Sequence, residues 1–213
     1  MIQKFNEQLT KELSEGDINL IVFGETHGFF DDSLVQEEII KTFKPELFLY
    51  EMLEETTLDT TDKRKEFLET PDDAEFSVIS TFGELKKTVA LADKYKLTIS
   101  GNDIKDMCRK NKEFLTKTTL TPEEEVEEQN ILNKREECQV KRITESFEKK
   151  TLVSVGAYHL RMDSTLMKIQ ENYLLIYFAY NGEQLFEPPE NFDKGGVSIK
   201  IQRISNNDRQ KIC

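Results

Sequence analysis

Cationic residues, cysteines, histidines and long apolar runs are all scarce in this chain, and each scarcity closes off a class of function. Lys and Arg number 29 against 41 Asp and Glu, giving a formal net charge of -12 and a pI near 4.8. A chain so acidic is repelled by phosphate backbones and anionic bilayers, so neither nucleic acid nor a membrane is an expected partner. The 3 cysteines, Cys108, Cys138 and Cys213, are odd in number and form no C-x-x-C. Neither a disulfide framework nor a zinc ribbon is indicated, and reduced thiols fit a cytoplasmic setting. The opening MIQKFNEQLT lacks the apolar core of a secretory signal, and no stretch of about 18 apolar residues is available to span a bilayer. Internal repeats and low-complexity tracts are missing as well, and no G-x-G-x-x-G follows the first strand-like run, which argues against dinucleotide binding.

What remains reads as one α/β domain over residues 1–213, long enough to bury a single sizeable core. β-branched and aromatic runs at 19–23, 47–51, 97–100, 152–155, 174–180 and 197–203 predict strands. Helical spacing is found at 33–43, 82–95 and 164–171. The longest helix is predicted over 121–150, opening with Thr121 as N-cap, Pro122 at the first helical position and three glutamates in the first turn. This alternation predicts a mostly parallel sheet flanked by helices on both faces, with one long helix and an antiparallel edge strand, the last in the chain. Residues 54–77 and 184–196 read as surface loops, the first of them a lid over any site at the strand ends.

The chain's 2 histidines each close a G-x-x-H tetrad at the end of a predicted strand: Gly24-Glu25-Thr26-His27 and Gly156-Ala157-Tyr158-His159. With 9 Gly in 213 residues, two such coincidences have a chance on the order of 1 in 500. A glycine there would supply positive φ or a close backbone approach, turning the histidine toward a cleft. Imidazole is the commonest metal ligand and the side chain that titrates nearest neutrality, so two of them with carboxylates suggest a metal or acid/base centre. Glu25, His27, Glu51, Asn102, Asp103 and His159 all lie at or just beyond the apolar part of a strand. In a parallel sheet those points share one edge, where open α/β sheets build their sites. Glu51 interrupts the apolar run 47–53 and, if buried, needs a metal, a histidine or an arginine as partner; a place in a solvated loop is its alternative. Arg135 is either a surface ion pair or a site cation.

The segments F-G-E-T-H-G, L-Y-E-M-L and V-G-A-Y-H-L, with Arg135-Glu136-Glu137-Cys138-Gln139 ahead of the last, resemble the superfamily that joins ChaN-like proteins, erythromycin esterases and the TraB/TIKI proteases. The resemblance is spread over residues 18–160 and rests on few positions. It implies that Glu25, His27, Glu51, Arg135 and His159 are the catalytic residues, with His27, Glu51 and His159 as metal ligands for Zn, Mn, Co or Fe. In the esterase branch such groups activate water, in the TIKI branch they serve a metal-dependent peptidase, and ChaN-like members are associated with haem. The chain departs from each branch. Glu25 and His27 are one residue closer than in the esterase pattern, no arginine precedes Arg64, and Gly28-Phe29 stands where ChaN-like sequences often carry Asp-Asn. The function implied is hydrolysis of an ester or amide bond in a small molecule or peptide by water activated at a two-histidine, carboxylate centre. Haem or ligand binding without turnover, and a non-catalytic interaction domain, are the alternatives.

Overall fold

A computed structural model describes residues 2–25, 30–70, 82–108, 119–161, 163–169, 172–180 and 197–203. Its centre is a seven-stranded sheet of order β3-β4-β2-β5-β1-β6-β7. The strands are β1 (Leu20–Glu25), β2 (Leu47–Tyr50), β3 (Thr57–Leu58), β4 (Thr98–Gly101), β5 (Thr151–Gly156), β6 (Tyr173–Tyr180) and β7 (Val197–Arg203). All neighbouring pairs run parallel except β3 with β4. The antiparallel edge strand is therefore present, but it is the two-residue β3; the chain's last strand runs parallel to β6, contrary to expectation.

Side chains alternate across each strand, so one sheet holds two cores. Ile21, Phe23, Phe48, Tyr50, Ile99 and Leu152 face α1 (Ile2–Glu15), α2 (Phe30–Phe43) and α4 (Phe82–Lys94), which supply Phe5, Leu9, Ile39, Phe43 and Val89. Leu20, Val22, Leu49, Val153 and Val155 form the other core with Ile143 of α5 (Pro122–Glu145). The helix α5 begins as its sequence predicts: the Thr121 hydroxyl accepts from the Glu124 amide and the Glu124 carboxylate accepts from the Thr121 amide. It ends at Ser146, whose hydroxyl donates back to the Ile143 carbonyl, earlier than the predicted residue 150.

Three differences from the sequence reading have local causes. The helix α1, absent from the sequence reading, carries Phe5 and Leu9, four residues apart, as its buried stripe, with Ile2 and Leu13 partly buried against the same core. The described part of the segment 164–171 holds a 3₁₀ turn, Thr165–Lys168, in which Leu166 and Ile169 are three apart, the spacing that this tighter helix stacks on one side. The segment read as a lid holds β3 and a further helix, α3 (Thr61–Glu69), in its described part. The Arg64 guanidinium of α3, buried, donates to the carbonyls of Leu58 and Leu97 and to Asp93. From the opposite face, Arg142 of α5 donates to the carbonyls of Glu54, Gly101 and Asp103. Arg64 thus ties β3 to the start of β4, and Arg142 ties the end of β4 to Glu54 ahead of β3. The second predicted loop, 184–196, lies outside the described residues.

Candidate functional site

At the carboxyl ends of β1, β2, β4 and β5 the chain buries an unusual number of ionisable groups: Glu25, Glu51, Asp103, Arg135, Glu136 and His159 are each less than a tenth exposed. An isolated buried charge is costly, so each must be matched. Glu51 opens a 3₁₀ turn directly after β2. Its Oε1 accepts from Arg135 Nη2 at 2.6 Å and lies 3.2 Å from His159 Nε2, and its Oε2 accepts from the Gly156 amide at 2.6 Å. The partners that its sequence position required are thus an arginine and a histidine together. Arg135 also grips Asp103, with Nε at 2.8 Å from Oδ2. Burial pushes the Asp103 carboxyl above its ordinary range, with Arg135 pulling the other way. The guanidinium on both of its oxygens keeps the ionised form at neutral pH.

His159 sits between two carboxylates, Nδ1 at 3.1 Å from Glu136 Oε1 and Nε2 at 3.2 Å from Glu51 Oε1. Carboxylates accept, so both ring nitrogens donate and the ring is an imidazolium. Burial works against that charge, but Glu51 and the Glu136 hydrogen bond outweigh it and raise the His159 pKa to about 9. Glu136 is the reciprocal case. Burial raises its pKa, while His159, Arg161 and the Thr165 amide lower it further, to a net value of about 2. Arg161 closes the chain with a short bond to Glu136 Oε1. The run Asp103, Arg135, Glu51, His159, Glu136, Arg161 alternates in sign along its length, three anions with three cations.

Glu25 belongs to another cluster. Its Oε2 accepts from Gln36 Nε2 at 2.8 Å and from the Ser154 hydroxyl at 2.9 Å, and the Thr88 hydroxyl lies 3.4 Å from the Gln36 carbonyl oxygen. These donors are uncharged. By strand alternation Glu25 shares the face of Ile21 and Phe23, toward α2, whereas Glu51 meets α5 on the other side. At the rim Glu25 is in register with Gly156, the residue whose amide donates to Glu51. The structure therefore brings Glu51, Arg135 and His159 together and sets Glu25 across the sheet from them. His27 lies outside the described residues.

Neither tetrad glycine adopts the positive φ that would require glycine, and Gly24 acts through space instead. Gly156 has φ of -56°. A Cβ on Gly24 would lie 2.2 Å from Leu160 Cδ1, so this position lets the turn after β5 settle on β1. Among the described residues no group of three or more His, Cys, Asp or Glu is arranged to hold a metal ion. Both ring nitrogens of His159 are engaged by carboxylates, so a metal or a haem iron would have to displace one of these bonds together with its proton. Sequence reasoning placed Asp103 at a strand end without giving it a role, and did not single out Glu136, Gln36, Ser154 or Arg161. Ser154 was the detectable one, the sole polar residue in the run 152–155.

No family model matches the chain, and no curated protein matches it in sequence. Solved structures do resemble it. The type III effector HopBA1 is 14% identical with a TM-score of 0.50, over 92% of this chain and 93% of that one. What is shared is the fold. A structure described as cofacial heme binding to ChaN of Campylobacter jejuni is 15% identical with a TM-score of 0.48, over 85% of this chain and 89% of that one. Among the described residues no helix is long and apolar enough to cross a membrane.

Proposed function

We propose that this chain hydrolyses an ester or amide bond in a small molecule or peptide, with His27 and Glu25 as the reacting pair and the ion chain across the sheet as the frame that fixes the rim. One observation carries the reading: the two clusters divide the labour. Glu51, Arg135 and His159 are committed to one another and to Asp103 and Glu136, whereas Glu25 ends β1 two residues before His27, on the other side of the sheet, with Gln36 and Ser154 among its donors. In the proposed reaction His27 takes a proton from water as the water oxygen attacks the carbonyl carbon, and returns it to the departing alcohol or amine. Glu25 orients the imidazole. Glu51, Arg135 and His159 are positioning residues, and no step is routed through a metal.

The test is turnover of a panel of p-nitrophenyl esters and peptide amides by the purified chain. His27→Ala and Glu25→Gln are each expected to lower kcat/KM by about 10²–10⁴-fold, the usual contribution of general acid–base catalysis, without moving the thermal unfolding midpoint by more than a few degrees. Equal turnover in His27→Ala would sink the assignment. A Soret band on haem addition that disappears in His27→Ala, with no turnover of any substrate, would replace hydrolysis by haem binding. Stoichiometric metal in the purified chain, lost in His27→Ala, would restore a metal-dependent route.

A further inference from the structure

Beyond β1 the chain passes to α2 on one face of the sheet, on its way to β2. Beyond β5 it passes through the turns Ala157–Leu160 and Thr165–Lys168 on the α5 face, where the Thr165 amide donates to Glu136, on its way to β6. Yet β1 and β5 lie side by side, paired in parallel from Leu20 with Thr151 to Glu25 with Gly156. Neighbouring strands whose onward connections leave in opposite directions over opposite faces part at their carboxyl ends, and the crevice so formed is where open α/β sheets bind ligands. Glu25 ends the β1 side of this crevice, and the turn Ala157–Leu160 forms its β5 side.

Within that turn His159 and Leu160 are buried, whereas Tyr158 keeps 47% of its surface exposed. The ring is exposed without being loose. Two residues before it, the Gly156 amide donates to Glu51; directly after it, His159 is held by Glu51 and Glu136, and Leu160 lies against Gly24. The Arg161 guanidinium stands over the ring, 4.8 Å from its centroid, and is itself tied to Glu136 and to Asp163. An aromatic side chain on a backbone anchored on both sides has little freedom left to lose when a ligand settles on it, so contact there costs little entropy.

We propose that Tyr158 is a stacking platform for a neutral aryl group of the ligand that enters the crevice between β1 and β5. One face of the ring already carries a guanidinium, so a cationic group on the other would oppose Arg161 through the ring. An aliphatic group would gain only buried area there, whereas an aryl group gains area and an offset-stacked or edge-to-face contact together. Resting on the hydrolysis proposed above, this names the substrate class: an ester or amide that carries an aryl group close to the scissile bond. Tyr158 then sets specificity and takes no part in proton transfer.

The test has a binding arm and a turnover arm, both on the full chain. In the first, nuclear magnetic resonance follows titration with benzamide and with cyclohexanecarboxamide, which share the carboxamide and the ring size and differ in the π system. Benzamide is expected to shift the Tyr158 ring signals and the backbone amides of 157–161 saturably, and to bind about two- to tenfold more tightly than its saturated counterpart, the usual worth of an aromatic pair. That preference should persist in Tyr158→Phe and vanish in Tyr158→Leu, with the thermal unfolding midpoint of both variants close to that of the parent. In the second arm, methyl phenylacetate should be preferred to methyl cyclohexylacetate by a similar factor, carried by KM rather than kcat, and lost in Tyr158→Leu alone. Equal binding of the two amides by the parent chain, or an aryl preference that survives in Tyr158→Leu, would overturn the platform. Ester turnover without any aryl preference would remove the platform and leave hydrolysis standing; aryl binding through Tyr158 with no turnover would do the reverse.

Discussion

Replacing Arg135 with Met keeps most of the side chain's length and apolar contact and removes only the charge and its donors. The guanidinium faces two carboxylates at once, Asp103 with a side chain 1% exposed and Glu51 with one 8% exposed. Glu51 retains the Gly156 amide and His159, and Asp103 retains only the neutral Ile104 amide at 2.7 Å. Breaking a buried pair by deleting one partner typically costs about 3–5 kcal/mol, because the remaining charge is left uncompensated. With a denaturant slope of about 2 kcal/mol/M, the urea midpoint should fall by about 2 M at neutral pH. Removing both charges, in Arg135→Met with Asp103→Leu, should recover part of that loss, since no orphaned anion is left at position 103. The assay is urea unfolding followed by circular dichroism, with the slope checked for constancy across variants. A loss below about 1 kcal/mol in the single variant, or a double variant no better than the single one, would refute the account of this network as mutually dependent.

Stability should depend on pH from both sides of the His159–Glu136 pair. The His159 pKa is raised to about 9 in the fold, so its contribution is complete below about 6.5 and is lost as pH rises through about 9. Glu136 is lowered to about 2, so its share is complete above about 4.5 and disappears as pH falls toward 2. Both act in full between about pH 4.5 and 6.5, which urea unfolding across a pH series would reveal; an imidazole titration midpoint near 6.5 for His159 by nuclear magnetic resonance contradicts the arrangement. Gly24→Ala should cost about 1–3 kcal/mol by overpacking against Leu160, and Leu160→Val in the same chain should return part of it. No rescue in the double variant would place the strain elsewhere. Thr121→Ala should lose about 1 kcal/mol with the reciprocal cap at the start of α5, read as a lower unfolding midpoint, whereas Thr121→Ser should lose much less.

The strands β1, β2, β4, β5, β6 and β7 and the helices α2 and α4 were legible because β-branched runs and amphipathic spacing are local signals, and so was the start of α5, where three independent preferences coincide at Thr121, Pro122 and Glu124; α1 and β3 were not. Glu51 was legible as a problem, a carboxylate inside an apolar run, and the structure supplies Arg135 and His159 as the answer. Which side of the sheet a strand-end residue faces was not legible. One residue of difference in where a strand stops sends its side chain to the opposite face, and that separates Glu25, the last residue of β1, from Glu51, the first residue after β2. Glu136 was hidden for a similar reason: next to Glu137, only the helix register shows that position 136 points inward. The α3 helix escaped notice because its buried anchor is an arginine, a residue that sequence patterns assign to the surface.

Two residues are too few for β3 to protect the flank of β4 by pairing alone, since β4 contributes four residues and β3 covers only Ser100 and Ile99. The forked side chains of Arg64 and Arg142, reaching in from opposite faces, take up carbonyls that a longer neighbour would otherwise have occupied. The flank is thereby sealed against recruitment of a foreign strand, a hazard that exposed sheet margins carry. A lysine at either position would bring a point charge without the planar fork, and the domain would then present an open margin on which copies of itself could stack.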